Sequence, residues 1–295
     1  MSASDCSGVN SYGVEYQEFS CTYKFLEQTY TNAEKYYDPI PVMQWMQSHN
    51  TMPILAIIAY GALIVWGREK MEKQEPWKLR ASLALWNLAL SVFSGIGAFR
   101  TAPQLFYNLT NMSLRDNFCA DPLQTYGSGS SGLWVQLFVL SKFPELFDTF
   151  FIVVNKKRLI FLHWYHHMTV LAYCWHSYVT KSPSGLFFVV MNYAVHAIMY
   201  FYYFLMAIRK KPKWLNAIFI TTAQLSQMVV GVSITLIAFY FYMKDGQTCH
   251  IQKENNIGAF LMYGSYLFLF AQFFVERYFK VKAKASATSP RKKKL

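Results

Sequence analysis

The sequence is short of charge: only 15% of its 295 residues are Asp, Glu, Lys or Arg, where a soluble domain carries about a quarter. Acids are scarcest, 16 against 28 Lys and Arg, for a formal charge of +12. Five cysteines are too few for a disulfide framework. No internal repeat is visible. No signal peptide of the usual form is visible either, because residues 1–38 are polar and lack a short apolar core. What fills the chain instead is 54% hydrophobic and 18% aromatic, which excludes disorder and fibrous repeats.

The few charges gather in blocks. Between Asp38 and Arg68, Arg80 and Arg100, Asp121 and Lys142, Arg158 and Lys181, Lys181 and Arg209, Lys213 and Lys244, and Glu254 and Glu276 lie seven charge-free runs of 19 to 30 residues. About 20 apolar residues cross a bilayer as helix. The runs are too long for barrel strands, and lipid offers unpaired backbone groups no partner. The expectation is an all-α integral membrane protein with seven transmembrane helices. The third run must extend to about Val154 to span, which draws Lys142, Glu145 and Asp148 into the membrane.

Basic residues favour the cytosolic side of a membrane. Segments 68–80, 155–158, 208–214 and 277–295 hold 20 Lys and Arg, against 6 in the segments on the opposite side. This predicts three parts: a lumenal N-terminal segment 1–51, a seven-helix catalytic domain 52–278 and a basic cytosolic tail 279–295. Asn108 and Asn111 begin glycosylation sequons on the side assigned to the lumen. Cys119 and Cys249 fall in loops of that side and are candidates for a disulfide, while Cys174 reads as a small packed hydrophobe and Cys6 and Cys21 are left unassigned. The tail, ending Arg291-Lys292-Lys293-Lys294-Leu295, resembles a dilysine signal for retrieval to the endoplasmic reticulum.

Ionisable residues inside a bilayer are costly and need partners. Lys142, Glu145, Asp148 and Thr149 make one helical stripe on the third span, and His163, His166 and His167 share a face of the fourth. Asn192, His196, Met199, Tyr200 and Tyr203 line the fifth, and Thr221, Gln224 and Gln227 the sixth. At ~1.5 Å per residue, His166 lies ~12 Å below Arg158, Gln224 ~16 Å below Lys213, and His196 and Lys142 ~20 Å below the basic side. One polar layer in the cytosolic half suits a substrate with an anionic head outside and an apolar tail inside, each buried methylene contributing ~0.8 kcal/mol. His49, His176 and His250 read as ordinary interfacial or loop residues, and a lone Gln227 as interhelical glue.

Clustered histidines have two chemical uses. Neutral imidazoles ligate iron or zinc, as in membrane desaturases and hydroxylases; those use about eight histidines, and this chain has seven. Alternatively an imidazole attacks a thioester to give an acyl-imidazole, dividing one transfer into two easier steps, with Asp148 or a second histidine fixing its tautomer. A seven-helix receptor is a third class consistent with the topology, although it leaves the buried ionisable stripes unexplained.

Lys142-x-x-Glu145-x-x-Asp148-Thr149, His163-Trp-Tyr-His166-His167, Asn192-x-x-x-His196-x-x-Met199-Tyr200-x-Tyr202-Tyr203 and Thr221-x-x-Gln224-x-x-Gln227 resemble, in order, the signature motifs of the very-long-chain fatty acid elongases. Leu159-Ile-Phe-Leu-His-Trp-Tyr-His-His and Met191-Asn-Tyr-Ala-Val-His look like the branch that acts on saturated and monounsaturated acids. The resemblance implies a condensing enzyme of the endoplasmic reticulum, a 3-oxoacyl-CoA synthase. It would join an acyl-CoA to malonyl-CoA with loss of CO2 and CoA, without metal or other cofactor. It further implies a six-helix inverted barrel around an acyl tunnel, with the seventh helix outside. His166 would be the nucleophile and His196 its neighbour, with His163 and His167 in the catalytic group. Asn192, Tyr202, Thr221 and Gln224 would line the substrate, and Lys142, Glu145 and Asp148 would reach it from the third helix. The CoA phosphates would meet Lys157 and Arg158; Asn155 stands where the family often has Arg. Implied partners are the bilayer, the other enzymes of the elongation cycle and a second copy of the chain; nothing points to nucleic acid.

Overall fold

A computed structural model describes residues 6–280; the dilysine-like ending lies outside the described residues. The first of these form a small cap: strands β1 (Ser7–Val9) and β2 (Glu15–Gln17) pair antiparallel, and a disulfide joins Cys6 to Cys21. Nine longer helices follow: α1 (Ile40–Ser48), α2 (Thr51–Glu72), α3 (Arg80–Asn111), α4 (Gly129–Glu145), α5 (Asp148–Val154), α6 (Phe161–Val179), α7 (Gly185–Ala207), α8 (Ala217–Asp245) and α9 (Lys253–Val275).

Among the described residues five helices are long and apolar enough to cross a membrane: Thr51–Glu72, Arg80–Asn111, Gly185–Ala207, Ala217–Asp245 and Lys253–Phe279. The chain is a multi-pass membrane protein whose spans are helical. The other two expected spans differ in an instructive way. The third charge-free run is not one helix: it stops after Glu145 and restarts at Asp148, because Pro144 in its last turn cannot donate a backbone hydrogen bond. The fourth run forms α6, 19 residues carrying His163, His166, His167 and His176, which dilute its apolar character.

Around the bundle, α3 packs on α4, α4 on α6, α6 on α9, α9 on α8, α8 on α7 and α7 back on α3. These neighbours alternate in direction. Helix α2 stands outside this ring against α5 and α6. The α3–α7 seam is the most extensive, and glycine makes it possible: a Cβ on Gly97 would lie 2.3 Å from Tyr193 Cζ.

One end of the bundle carries the cap, the loop before α4 and the α8–α9 loop, joined by a disulfide between Cys119 and Cys249. The opposite, basic end carries the loops at 73–79, 155–160 and 208–216. There Lys156 Nζ donates to the carbonyls of Glu72 and Gln74 at 3.1 and 3.2 Å. Two cores fill the disulfide half, one around Phe118, Phe188, Tyr263 and Tyr266 between α7, α8 and α9, the other around Met46, Phe138, Trp175 and Tyr193 between α1, α4, α6 and α7.

Candidate active site

A cavity of about 640 Å3 runs from the basic end to the middle of the ring. Its mouth is walled by Lys157, Ala207, Ala217 and Arg277, and its inner part by the three histidines of α6 with Asn192, His196, Gln224, Gln227 and Met228. The helical spacing explains the convergence. Residues at i, i+3 and i+4 share a face, and on α6, α7 and α8 that face is the one turned inward. Tyr202, Thr221 and Asp148 also line it.

The histidines have different surroundings. His163 Nε2 is 2.9 Å from Thr149 Oγ1, which is 2.6 Å from Tyr60 OH. His167 Nε2 lies 3.9 Å from Asp148 Oδ2, and its Nδ1 is buried with no partner among the described residues. His196 Nε2 is 3.3 Å from Asn192 Nδ2. His166 lies beside the rings of His167 and Tyr266, at 5.5 and 5.1 Å between centroids. It lines the cavity, and its ring nitrogens make no hydrogen bond among the described residues. The His166 imidazole is thus left free toward the cavity.

Asp148 is held from two sides, accepting from Trp86 Nε1 at 2.6 Å and from Tyr200 OH at 2.7 Å. Trp86 was not legible as a site residue, since an indole in an apolar span signals nothing by its spacing. Gln224 Nε2 contacts Met199 Sδ at 3.1 Å, and Thr221 Oγ1 is 3.1 Å from Tyr278 OH.

Three residues expected against substrate do not line this cavity. Lys142 and Glu145 sit behind the cavity wall, 2% and 3% exposed. Lys142 Nζ donates to Glu145 Oε1 at 2.7 Å and lies 3.5 Å from Asn192 Oδ1, so a buried charge is paired rather than presented. Arg158 opens instead onto a neighbouring cleft with Lys156, while Lys157 borders both hollows. Asn108 is also displaced from its expected role as a glycan acceptor: it is 5% exposed and its amide donates to the carbonyl of Thr125 at 3.1 Å, whereas Asn111 is exposed. Among the described residues no three of His, Cys, Asp and Glu converge in a way that would hold a metal ion.

At the disulfide end Arg100, deep in α3, meets Glu34 of the cap, Nε to Oε1 at 2.8 Å. Glu34 also accepts from Trp134 Nε1 at 3.0 Å and from the backbone N–H of Thr31 at 2.9 Å. Burial alone would raise the Glu34 carboxyl's pKa; the hydrogen bonds from Arg100, Thr31 and Trp134 and the charge of Arg100 outweigh it and hold the pKa below the usual carboxylate range.

The family model described as "ELO: GNS1/SUR4 family" matches residues 45–286. Relatives called "Very long chain fatty acid elongase 6" are similar over most of their length. The Gallus gallus protein is 44% identical over 252 residues, 85% of this chain and 94% of its own. Those of Homo sapiens and Drosophila melanogaster are each 42% identical, over 83% and 80% of this chain and 91% and 74% of theirs.

Proposed function

This chain belongs to the GNS1/SUR4 (ELO) family and is a fatty acid elongase, an acyltransferase of the condensing class; on that premise we propose how its cavity carries out the condensation. The observation that carries the mechanism is the free imidazole of His166, in a cavity it shares with Asn192, His196 and Gln224 behind a basic mouth. His166 attacks the acyl-CoA carbonyl; the new C–N bond replaces the C–S bond, and CoA leaves as the thiol after taking up the imidazole proton. Malonyl-CoA then binds and loses CO2. Its enolate carbon attacks the acyl-imidazole, forming the C–C bond and breaking the C–N bond; the departing His166 nitrogen takes up one proton from water at the cavity mouth, which restores the neutral imidazole and releases a 3-oxoacyl-CoA two carbons longer. Donors already aimed at the enolate oxygen lower that barrier most, and Asn192, Gln224 and the His196 imidazole fill that role. Asp148 orients His167, and His163 is steadied by Thr149.

Lys142 and Glu145 act one layer back. Lys142 Nζ faces Asn192 Oδ1, so the amide nitrogen is turned to His196. The tunnel accepts saturated or monounsaturated acyl chains, Tyr202 and Thr221 border them, and Lys157 and Arg277 attract the CoA phosphates at the mouth. The reaction needs no metal. The ring of six helices with α2 outside supports a seven-span inverted barrel, in which α4 with α5 and α6 also cross the bilayer. The charge asymmetry supports the endoplasmic reticulum with the N-terminus lumenal and the C-terminus cytosolic, the two disulfides lying in the oxidising lumen. Neighbouring enzymes of the cycle and a second copy are its expected partners.

Incubating purified protein with acyl-CoA alone should leave one acyl mass on the chain, mapped to His166, and His166→Ala should lose both adduct and condensation. Absence of the adduct with full activity in His166→Ala would exclude the covalent route.

A further inference from the structure

The basic run Lys156-Lys157-Arg158 divides between two hollows. Beside the reaction cavity lies a cleft of about 620 Å3 between the end of α2 and the α5–α6 loop. One wall is apolar: Ile64, Val65 and Met71 of α2 with Val153 and Leu159. The other is charged, with four cations, Arg68, Lys156, Lys157 and Arg158, against two carboxylates, Glu69 and Glu72. The loop that presents the cations is built for the purpose. Lys156 adopts φ 53°, a left-handed conformation unusual outside glycine, and its Nζ ties to the carbonyls of Glu72 and Gln74 at the C-terminus of α2. Gly67 permits the approach, since a Cβ there would meet Val153 Cγ1 at 3.3 Å. Arg68 and Arg158 form no ion pair among the described residues and are exposed.

We propose that this cleft is a binding site for one anionic glycerophospholipid of the surrounding bilayer, its phosphate on Arg68 and Arg158 and an acyl chain along Ile64 and Val65. Two features select that occupant. The excess of positive charge stands at the basic end, where lipid headgroups lie, and a cation there attracts anionic lipid by ~1 kcal/mol. The apolar wall continues into the outward side of α2, where Leu55, Ile58, Leu63 and Val65 are all about 60% exposed, a surface suited to lipid tails in a bilayer. Because Lys157 borders both hollows, a seated phosphate stands next to the mouth through which CoA enters.

The test is native mass spectrometry of the full chain in detergent, titrated with phosphatidic acid and with phosphatidylcholine of the same acyl length. Phosphatidic acid should bind at least tenfold tighter. Arg68→Gln should weaken it about fivefold, Arg68→Lys should weaken it less, and Lys78→Gln, at the same end but outside the cleft, should leave it unchanged. Added CoA should not displace the lipid. Equal binding of the two lipids, or equal losses in Arg68→Gln and Lys78→Gln, would mean charge attraction without a site and overturns the proposal. Displacement by CoA would make the cleft an extension of the reaction cavity, which overturns it as well. The readout is binding, so it stands apart from whether His166 carries the acyl group.

Discussion

Among single residues, the pair Arg100–Glu34 has the clearest energetic consequence. An arginine in a membrane helix costs about 2.5–3.5 kcal/mol unless paired, and Glu34 supplies the partner from outside the spans. Glu34→Gln leaves that cation uncompensated and should lower stability by about 3–5 kcal/mol, read as a drop in thermal midpoint in detergent. The pH dependence follows from the lowered carboxyl pKa. The pair's contribution is fully present above the unfolded value of about 4.3 and is lost as pH falls through the lower folded value. Wild-type thermal stability should therefore fall more steeply in that acid window than that of Glu34→Gln. Lys142 makes a second prediction. If it orients Asn192 rather than touching substrate, Lys142→Met should lower kcat by about tenfold, ~1.4 kcal/mol, with KM for acyl-CoA little changed; a rise in KM alone would return it to the substrate wall. Spacing brought the three α6 histidines, Asn192, His196 and Gln224 to one layer, because i, i+3 and i+4 neighbours need only a helix to coincide. It misled for Lys142 and Glu145, because a stripe says which residues share a face and not which neighbour that face meets. The partner of Arg100 was not legible, since Glu34 lies 66 positions away.

At the level of elements, charge-free runs revealed the helices well but not their internal breaks. Pro144 was visible, yet the run had to be lengthened to Val154 to span, and the helix is instead divided between Glu145 and Asp148. The division matters: Asp148 begins a new helix and is held by Trp86 of α3 and Tyr200 of α7, whereas Glu145 stays on the Lys142 side. Trp86→Phe should keep the fold and reduce condensation through Asp148, with the loss in kcat. The α3–α7 seam offers a packing test. Gly97→Ala forces a Cβ into the Tyr193 ring and should cost about 1–3 kcal/mol. In a Tyr193→Leu background the same substitution should cost much less, a non-additivity that a double-mutant cycle of thermal midpoints measures directly.

For the whole molecule, orientation and chain length remain the quantities to measure. In sealed microsomes, protease added outside should spare residues 6–48 and cut the basic end; the reverse pattern would invert the assigned topology. A ladder of acyl-CoA lengths supplied with malonyl-CoA identifies the preferred substrate. The cap lies almost entirely ahead of the family-matched residues 45–286, and its hold on the bundle is long-range. Asn10 Nδ2 donates to Ser128 Oγ, 118 positions on, and the backbone N–H of Gly129 donates to the carbonyl of Tyr37. The cap residues therefore have nothing to dock on until α3 and the start of α4 have been made and threaded. Between Cys6 and Asn117 the sequence holds no cysteine besides Cys6 and Cys21. Their local loop closes early, whereas Glu34 waits for Arg100, so a nascent chain arrested before residue 100 should display its amino end to antibody and protease that the finished protein excludes.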